Sequence, residues 1–296
     1  MRVLYASDLH GIPELYRDLL ALATERRVRA VILGGDLLPL QGPFYQTIRE
    51  QESFTRSFLV PEFHRFLARN PQARLYLLQG NTDWQGSREP LARLTQPRRV
   101  ILIHGLCSRL GSGHELIGYG HVPPTPFVIK DGERRDLRAD PVPAQRTTPC
   151  RSVGERIVVT DVHDHFAGNP SIEEELAELP RPSLCRKAVY AIHSPPYDGT
   201  LDVLDDGRAV GSRAVRAFLL RHQPLLGLHG HIHEAPEVSG AYAARLGRTL
   251  CINPGQSTRE LHAVHLDLEE VASTLEHTVF GRWTQAGGAI AEALRE

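Results

Sequence analysis

Five short apolar runs in this chain each break directly into a turn carrying Asp, His or Asn. That repetition limits the fold more than any other feature. Val3–Ala6 runs into Ser7-Asp8-Leu9-His10-Gly11, Ala30–Leu33 into Gly34-Gly35-Asp36-Leu37, and Leu75–Leu78 into Gln79-Gly80-Asn81-Thr82-Asp83. Farther along, Ala188–Ile192 runs into His193-Ser194-Pro195-Pro196 and Leu225–Leu228 into His229-Gly230-His231-Ile232-His233. Short aliphatic runs bounded by Gly, Pro or Asp read as buried strands. In open α/β sheets the carboxyl ends of strands are where ligand sites form.

Four further runs, Val100–Ile103, Ile157–Thr160, Thr249–Ile252 and Ala263–Leu266, also read as strands. Helical spacing lies between them. Pro13 suits the first turn of a helix carrying Leu15, Leu19, Leu20 and Leu22. Further helices are predicted at about Glu52–Ala68, Arg88–Leu94, Ser171–Leu179 and Ser212–Arg221, with Pro61 kinking or splitting the first. Strands alternating with helices imply layered α/β architecture. Residues 105–155 are rich in Gly, Pro and charge and read as a loop-rich insertion; residues 269–296 read as a C-terminal extension. One domain over 1–296 is the simplest organisation.

Composition narrows the function classes. The chain has 296 residues, 41% of them apolar and 23% charged, which suits a soluble protein with a sizeable core. No apolar run is long enough to span a membrane. The N-terminus reaches Asp8 too soon for a signal peptide. A net charge of −1 provides no field for nucleic acid or lipid, so long nucleic acid and membranes are not expected partners. Cys107, Cys150, Cys185 and Cys251 are scattered, which fits neither a disulfide framework nor a thiolate zinc site and points to the cytoplasm. The oligomeric state is not legible.

The strand-end residues are a set of nitrogen and oxygen metal ligands. Imidazole and carboxylate together suit Mn, Fe, Zn or Ni. Asp8 and His10 lie two apart and face the same way on an extended segment, as do His231 and His233 unless a sharp loop aims them at different ions. Taken singly, each motif has an ordinary explanation, since Gly-Asp and Gly-Asn are common turn chemistry. Five in this order, each on its own strand end, are not ordinary.

The ordered set D-x-H, G-D, G-N-x-D, H and G-H-x-H, from Asp8 to Gly255, resembles the calcineurin-like metallophosphoesterase superfamily. Pro123-Pro124-Thr125-Pro126-Phe127, Lys130-Asp131, His193-Ser194-Pro195-Pro196-Tyr197, Gly230-His231-Ile232-His233-Glu234 and Asn253-Pro254-Gly255 are similar to its Icc-related predicted phosphoesterases. The resemblance implies a four-layer α/β/β/α sandwich. It also implies two metal ions, the first on Asp8, His10, Asp36 and His233, the second sharing Asp36 and taking Asn81, His193 and His231.

The implied activity is hydrolysis of a small-molecule phosphate ester, a nucleotide among the candidates, by a hydroxide formed between the two ions. A phosphodiesterase is the leading expectation; a phosphomonoesterase and a non-catalytic metal-binding scaffold are the alternatives. Asn81, Asp83 and His193 are the catalytic candidates, with Asp83 expected to orient an imidazole. Many members of the superfamily carry a histidine after the G-N asparagine, where this chain has Thr82. A hydroxyl is a poor general acid near neutrality, so good leaving groups are expected. Thr82, His121 and Arg138 are the substrate-binding candidates, and His121, His163 and His165 are the candidates for a histidine that takes the place of the missing acid.

Overall fold

The computed structural model describes residues 1–87, 91–92, 99–144 and 147–284. In chain order the strands are β1 (Arg2–Ala6), β2 (Ala30–Leu33), β3 (Arg74–Leu77), β4 (Val100–Leu102), β5 (Cys107–Gly111), β6 (His114–Tyr119), β7 (Cys150–Val153) and β8 (Arg156–Val159). They continue with β9 (Ala188–Ile192), β10 (Leu226–Leu228), β11 (Ala243–Leu246), β12 (Thr249–Ile252), β13 (Val264–Asp267), β14 (Glu276–His277) and β15 (Gly281–Arg282). One sheet has the order β15-β14-β13-β1-β2-β3-β4 and the other β11-β12-β10-β9-β6-β5, while β7 and β8 form a separate hairpin.

Strand alternation assigns the layers. On β1, Val3 and Tyr5 point into a core shared with Leu116, Val189, Ala191, Leu228 and Ile252 of the other sheet. Leu4 and Ala6 point the opposite way, onto Leu15, Tyr16, Leu19, Phe63 and Leu67 of the helices Pro13–Glu25 and Val60–Arg69. The outer face of the second sheet, through Ile117, Tyr190 and Ile192, packs on Ile172, Leu176, Val215 and Leu219 of the helices Ile172–Ala177 and Arg213–His222. Helix, sheet, sheet and helix are stacked in that order, the four-layer sandwich expected from the sequence.

Every strand anticipated from an apolar run is present within a residue or so. Two expectations are corrected. Residues 107–119, placed in the insertion, form β5 and β6, and β6 pairs in parallel with β9 inside the second sheet. Glu115 and the glycines at 111 and 113 disguised the hairpin. The helix around Pro61 is not split either. Helical residues run from Thr47 to Arg69 through a π turn at Thr55–Leu59, where the Val60 N–H donates to Thr55 O. The π turn ends directly before Pro61's turn, and the helix continues through the proline without a break. Of the helix predicted at Arg88–Leu94 only Leu91 and Ala92 are described, both helical; its other residues and the end of the C-terminal extension lie outside the described residues. No helix among the described residues is long and apolar enough to cross a membrane.

Candidate metal centre

β1, β2 and β3 are parallel to one another, as are β9 and β10, so the turns after them gather at one end of the two sheets. The turns are unusual in backbone conformation. Asp8, His10, Asp36 and His231 have φ of 60°, 44°, 51° and 68°, in the left-handed region that non-glycine residues rarely occupy. Such strain persists where the surroundings over-determine it, and it clusters at functional sites. The glycines beside these residues are required mainly by close approach. A Cβ on Gly80 would lie 2.2 Å from Asp36 Oδ1, and one on Gly230 would lie 2.3 Å from Asp8 Oδ2.

Two candidate ligand groups result, Asp8 with His10 and His233, and Asp36 with His193 and His231. Within each, the candidate ligand atoms lie within 4.8 Å of one another. His233 Nε2 is 3.3 Å from Asp8 Oδ1 and 3.2 Å from His10 Nε2. His193 Nε2 is 3.5 Å from Asp36 Oδ2 and 3.8 Å from Asp8 Oδ1, so the groups adjoin. The loops brace the carboxylates. Thr82 N–H donates to Asp36 Oδ1 at 2.9 Å, and His231 N–H donates to Asp8 Oδ2 at 3.0 Å.

Tautomers follow from the partners. His193 Nδ1 lies 2.9 Å from Gly34 O, a carbonyl that can only accept, so Nδ1 carries the proton and Nε2 faces the carboxylates. Burial alone would raise the Asp8 carboxyl, but the His193 and His233 imidazoles outweigh it and bring it to about 2. Asp36 is likewise held well below the usual carboxylate range, since His193 outweighs its burial. Burial lowers His193, but Asp36 and Asp8 reverse the sign and carry it to about 9. Burial, with His193 adding to it, pushes His231 down to about 4.

The residues fit a pair of cations. His193 Nε2 and Asn81 Oδ1 are both buried with no hydrogen-bond partner, and unmet buried polar atoms are rare without a ligand to meet them. The donor set holds two carboxylates, four imidazoles and one amide, with no thiolate, which suits divalent first-row ions.

His10, Asp36, Asn81, Thr82, His231 and His233 open into a cleft of about 340 Å³. Its remaining walls are Pro123 to Phe127, Leu204, Val210, Ile232 and Glu234. Thr82 lines this cleft, its hydroxyl without a hydrogen-bond partner. Three other expectations are not met. Asp83 orients no imidazole; its carboxylate accepts from the N–H groups of Leu37, Leu38 and Gly80 at 3.0, 2.8 and 2.9 Å. His121 does not line the cleft, because Glu175 holds its Nδ1 at 2.7 Å and Arg134 approaches its other nitrogen. Arg138 points to solvent beside Glu174, on the rim of a separate cavity. His165 is buried against Glu133 O and His163 is exposed.

Sequence reasoning missed Gln51, whose amide donates to Thr82 O and accepts from Trp84 N, clamping the Asn81–Asp83 turn. A glutamine on the inner face of an amphipathic helix was the available signal. Leu204 and Val210 were also missed, since a loop far along the chain carries no mark of where it returns.

A family model described as calcineurin-like phosphoesterase matches residues 1–235. No curated protein matches the chain by sequence. One solved crystal structure, 16% identical, superposes with a TM-score of 0.61 over 93% of this chain and 98% of its own. TT1561 of Thermus thermophilus, 18% identical, aligns over 93% of this chain and 97% of its own with a TM-score of 0.56. A dimetal phosphatase from Danio rerio, 11% identical, aligns over 90% and 91% with a TM-score of 0.51. At these identities the likeness is one of fold.

Proposed function

The chain belongs to the calcineurin-like phosphoesterase family, and from that premise we propose that it is a dinuclear metal-dependent phosphodiesterase acting on a small-molecule phosphate ester. The observation that carries the reading is the position of Asp36, whose Oδ2 lies 3.9 Å from His10 Nε2 and 3.5 Å from His193 Nε2. A carboxylate so placed can serve both ligand groups. Asp8, His10 and His233 would hold one ion, and Asn81, His193 and His231 the other, with Asp36 shared. When bound, such ions neutralise charge on the phosphoryl oxygens and lower the pKa of water towards neutrality.

The rest falls to the chain's own residues. Gly34 O, accepting from Nδ1 of His193, fixes the ring so that Nε2 is the nitrogen aimed at the site. The Thr82 and His231 amides fix the two carboxylates, so little reorganisation is needed during reaction. Two features favour a diester. Among the described residues lining the cleft none is Lys or Arg, so a second phosphate charge has no side-chain cation to meet. The apolar wall can instead cover a second ester group. Thr82 lines the cleft where a general acid would stand, which favours leaving groups that depart without a proton.

The test is a paired assay with added Mn²⁺, using bis-p-nitrophenyl phosphate and p-nitrophenyl phosphate, with Asp36→Asn and His231→Ala as controls. Diester turnover that disappears in both variants is the expected result. Faster monoester turnover would make the chain a phosphatase. Two bound metals with neither ester cleaved would make it a scaffold. Thr82→His is expected to extend turnover to poor leaving groups by about 10²-fold.

A further inference from the structure

One wall of the cleft is a single segment, Pro123-Pro124-Thr125-Pro126-Phe127, held from beneath by groups that solvent does not reach. Lys130 and Glu133 form an ion pair at 2.9 Å with both side chains fully buried. Lys130 Nζ also donates to Thr125 O at 3.0 Å. Glu133 in turn accepts from the Thr125 N–H and the Thr125 hydroxyl. That hydroxyl oxygen accepts from the Phe127 N–H at 3.1 Å. Burying an ion pair costs much of what its attraction returns. Here it sets the backbone of a surface loop, a use that covering the core alone would not require.

What the network fixes is an aromatic face. Phe127 lines the cleft with 55% of its surface exposed, among prolines and near Leu204 and Val210. Among the described residues, the charged group on the lining apart from the candidate ligands is Glu234, which repels a further anion. We infer that this wall selects a substrate whose second ester group is an uncharged flat aromatic ring. Phe127 makes the contact, and Thr125 is the positioning residue. The inference rests on the phosphodiesterase reading and deepens it by naming the substrate class.

The test uses three diesters that share a p-nitrophenolate leaving group and differ in the retained group, which is methyl, phenyl or thymidine. In the wild type with Mn²⁺, kcat/KM for the phenyl ester is expected to exceed that for the methyl ester about tenfold, through KM, as an aromatic contact allows. A thymidine preference of similar size would identify a nucleobase as an accepted ring; a phenyl preference alone would restrict the ring to aryl esters. Phe127→Ala should bring the phenyl-to-methyl ratio close to one and Phe127→Leu should restore part of it. Thr125→Val should lower the ratio and Thr125→Ser should keep it. A wild-type ratio near one, a preference confined to thymidine, or equal losses on all esters in Phe127→Ala would overturn the proposal.

Binding separates this proposal from the reaction itself. Diphenyl phosphate should bind the Mn²⁺-loaded protein more tightly than dimethyl phosphate in calorimetric titration, and Phe127→Ala should erase the difference. If no ester is cleaved but that difference stands, the hydrolase reading fails and the wall survives. Equal binding of the two phosphates overturns the wall.

Discussion

The Asp83 carboxylate accepts a 2.8 Å hydrogen bond from the backbone N–H of Leu38, joining two strand-end turns 45 residues apart in sequence. With the amides of Leu37 and Gly80 as further donors, it serves as a staple between the turns that carry Asp36 and Asn81. Burial and the Asp36 charge push Asp83 up to about 7, against those three donors. An asparagine there would present an NH₂ to at least one backbone N–H. Asp83→Asn is expected to lose about 1–3 kcal/mol, the cost of an unmet buried group. A lower urea midpoint with an unchanged slope is the readout, and an unchanged midpoint would refute the staple.

Gly35 has a φ of +123°, and a Cβ there would lie 2.4 Å from Nδ1 of His193. Gly35→Ala should therefore displace the ring and break its bond to Gly34 O. The expected outcome is a fall in bound metal from two per chain towards one, measured by elemental analysis after Mn²⁺ loading and desalting. Full occupancy in the variant would show that the approach is not critical.

Arg138 is paired with Glu174 at 3.6 Å, with four-fifths of its side chain exposed, and it stands outside the cleft. Arg138→Ala should leave KM unchanged for the phosphate diester. Stability should change by less than about 0.5 kcal/mol, as for other exposed ion pairs. A several-fold rise in KM would return Arg138 to the binding surface.

His277 is buried with both nitrogens engaged, Nε2 donating to Pro254 O and Nδ1 accepting from the Val279 and Phe280 amides. Burial lowers it from 6.5 to about 3, His262 adding to the effect and the bond to Pro254 opposing it. The unfolded chain therefore takes up a proton that the folded chain refuses as pH falls through 6.5. Stability from this residue is full above that pH and is lost progressively down to about pH 3. Between pH 7 and 5 the loss is about 2 kcal/mol. Denaturant titrations of wild type and His277→Gln should show a smaller pH dependence in the variant; identical slopes would refute it.

The candidate metal ligands were legible because each follows an apolar run whose strand character is local. Asp8 and His10 after Val3–Ala6, and His231 and His233 after Leu226–Leu228, needed only the rule that strand ends collect ligands. β5 and β6 were not legible, because Glu115 and the surrounding glycines imitate a loop until β9 is there to pair with them. Asp83 misled for a related reason. A carboxylate two residues from a ligand suggests support of an imidazole, whereas its partners are backbone amides, which leave no mark in a sequence.

The sequence by itself determined the α/β layering, the strand ends and the inventory of donors, since these depend on short-range pattern and on side-chain chemistry. Only the tertiary structure decided how the donors divide into two groups, and it did so by laying β9 and β10 of one sheet against β1 and β2 of the other. It alone put His121 and Arg138 outside the cleft and Phe127 on its wall. The reason is physical. Those outcomes depend on contacts between segments far apart in the chain, settled by how the layers pack and where a buried charge such as Lys130 finds its partner.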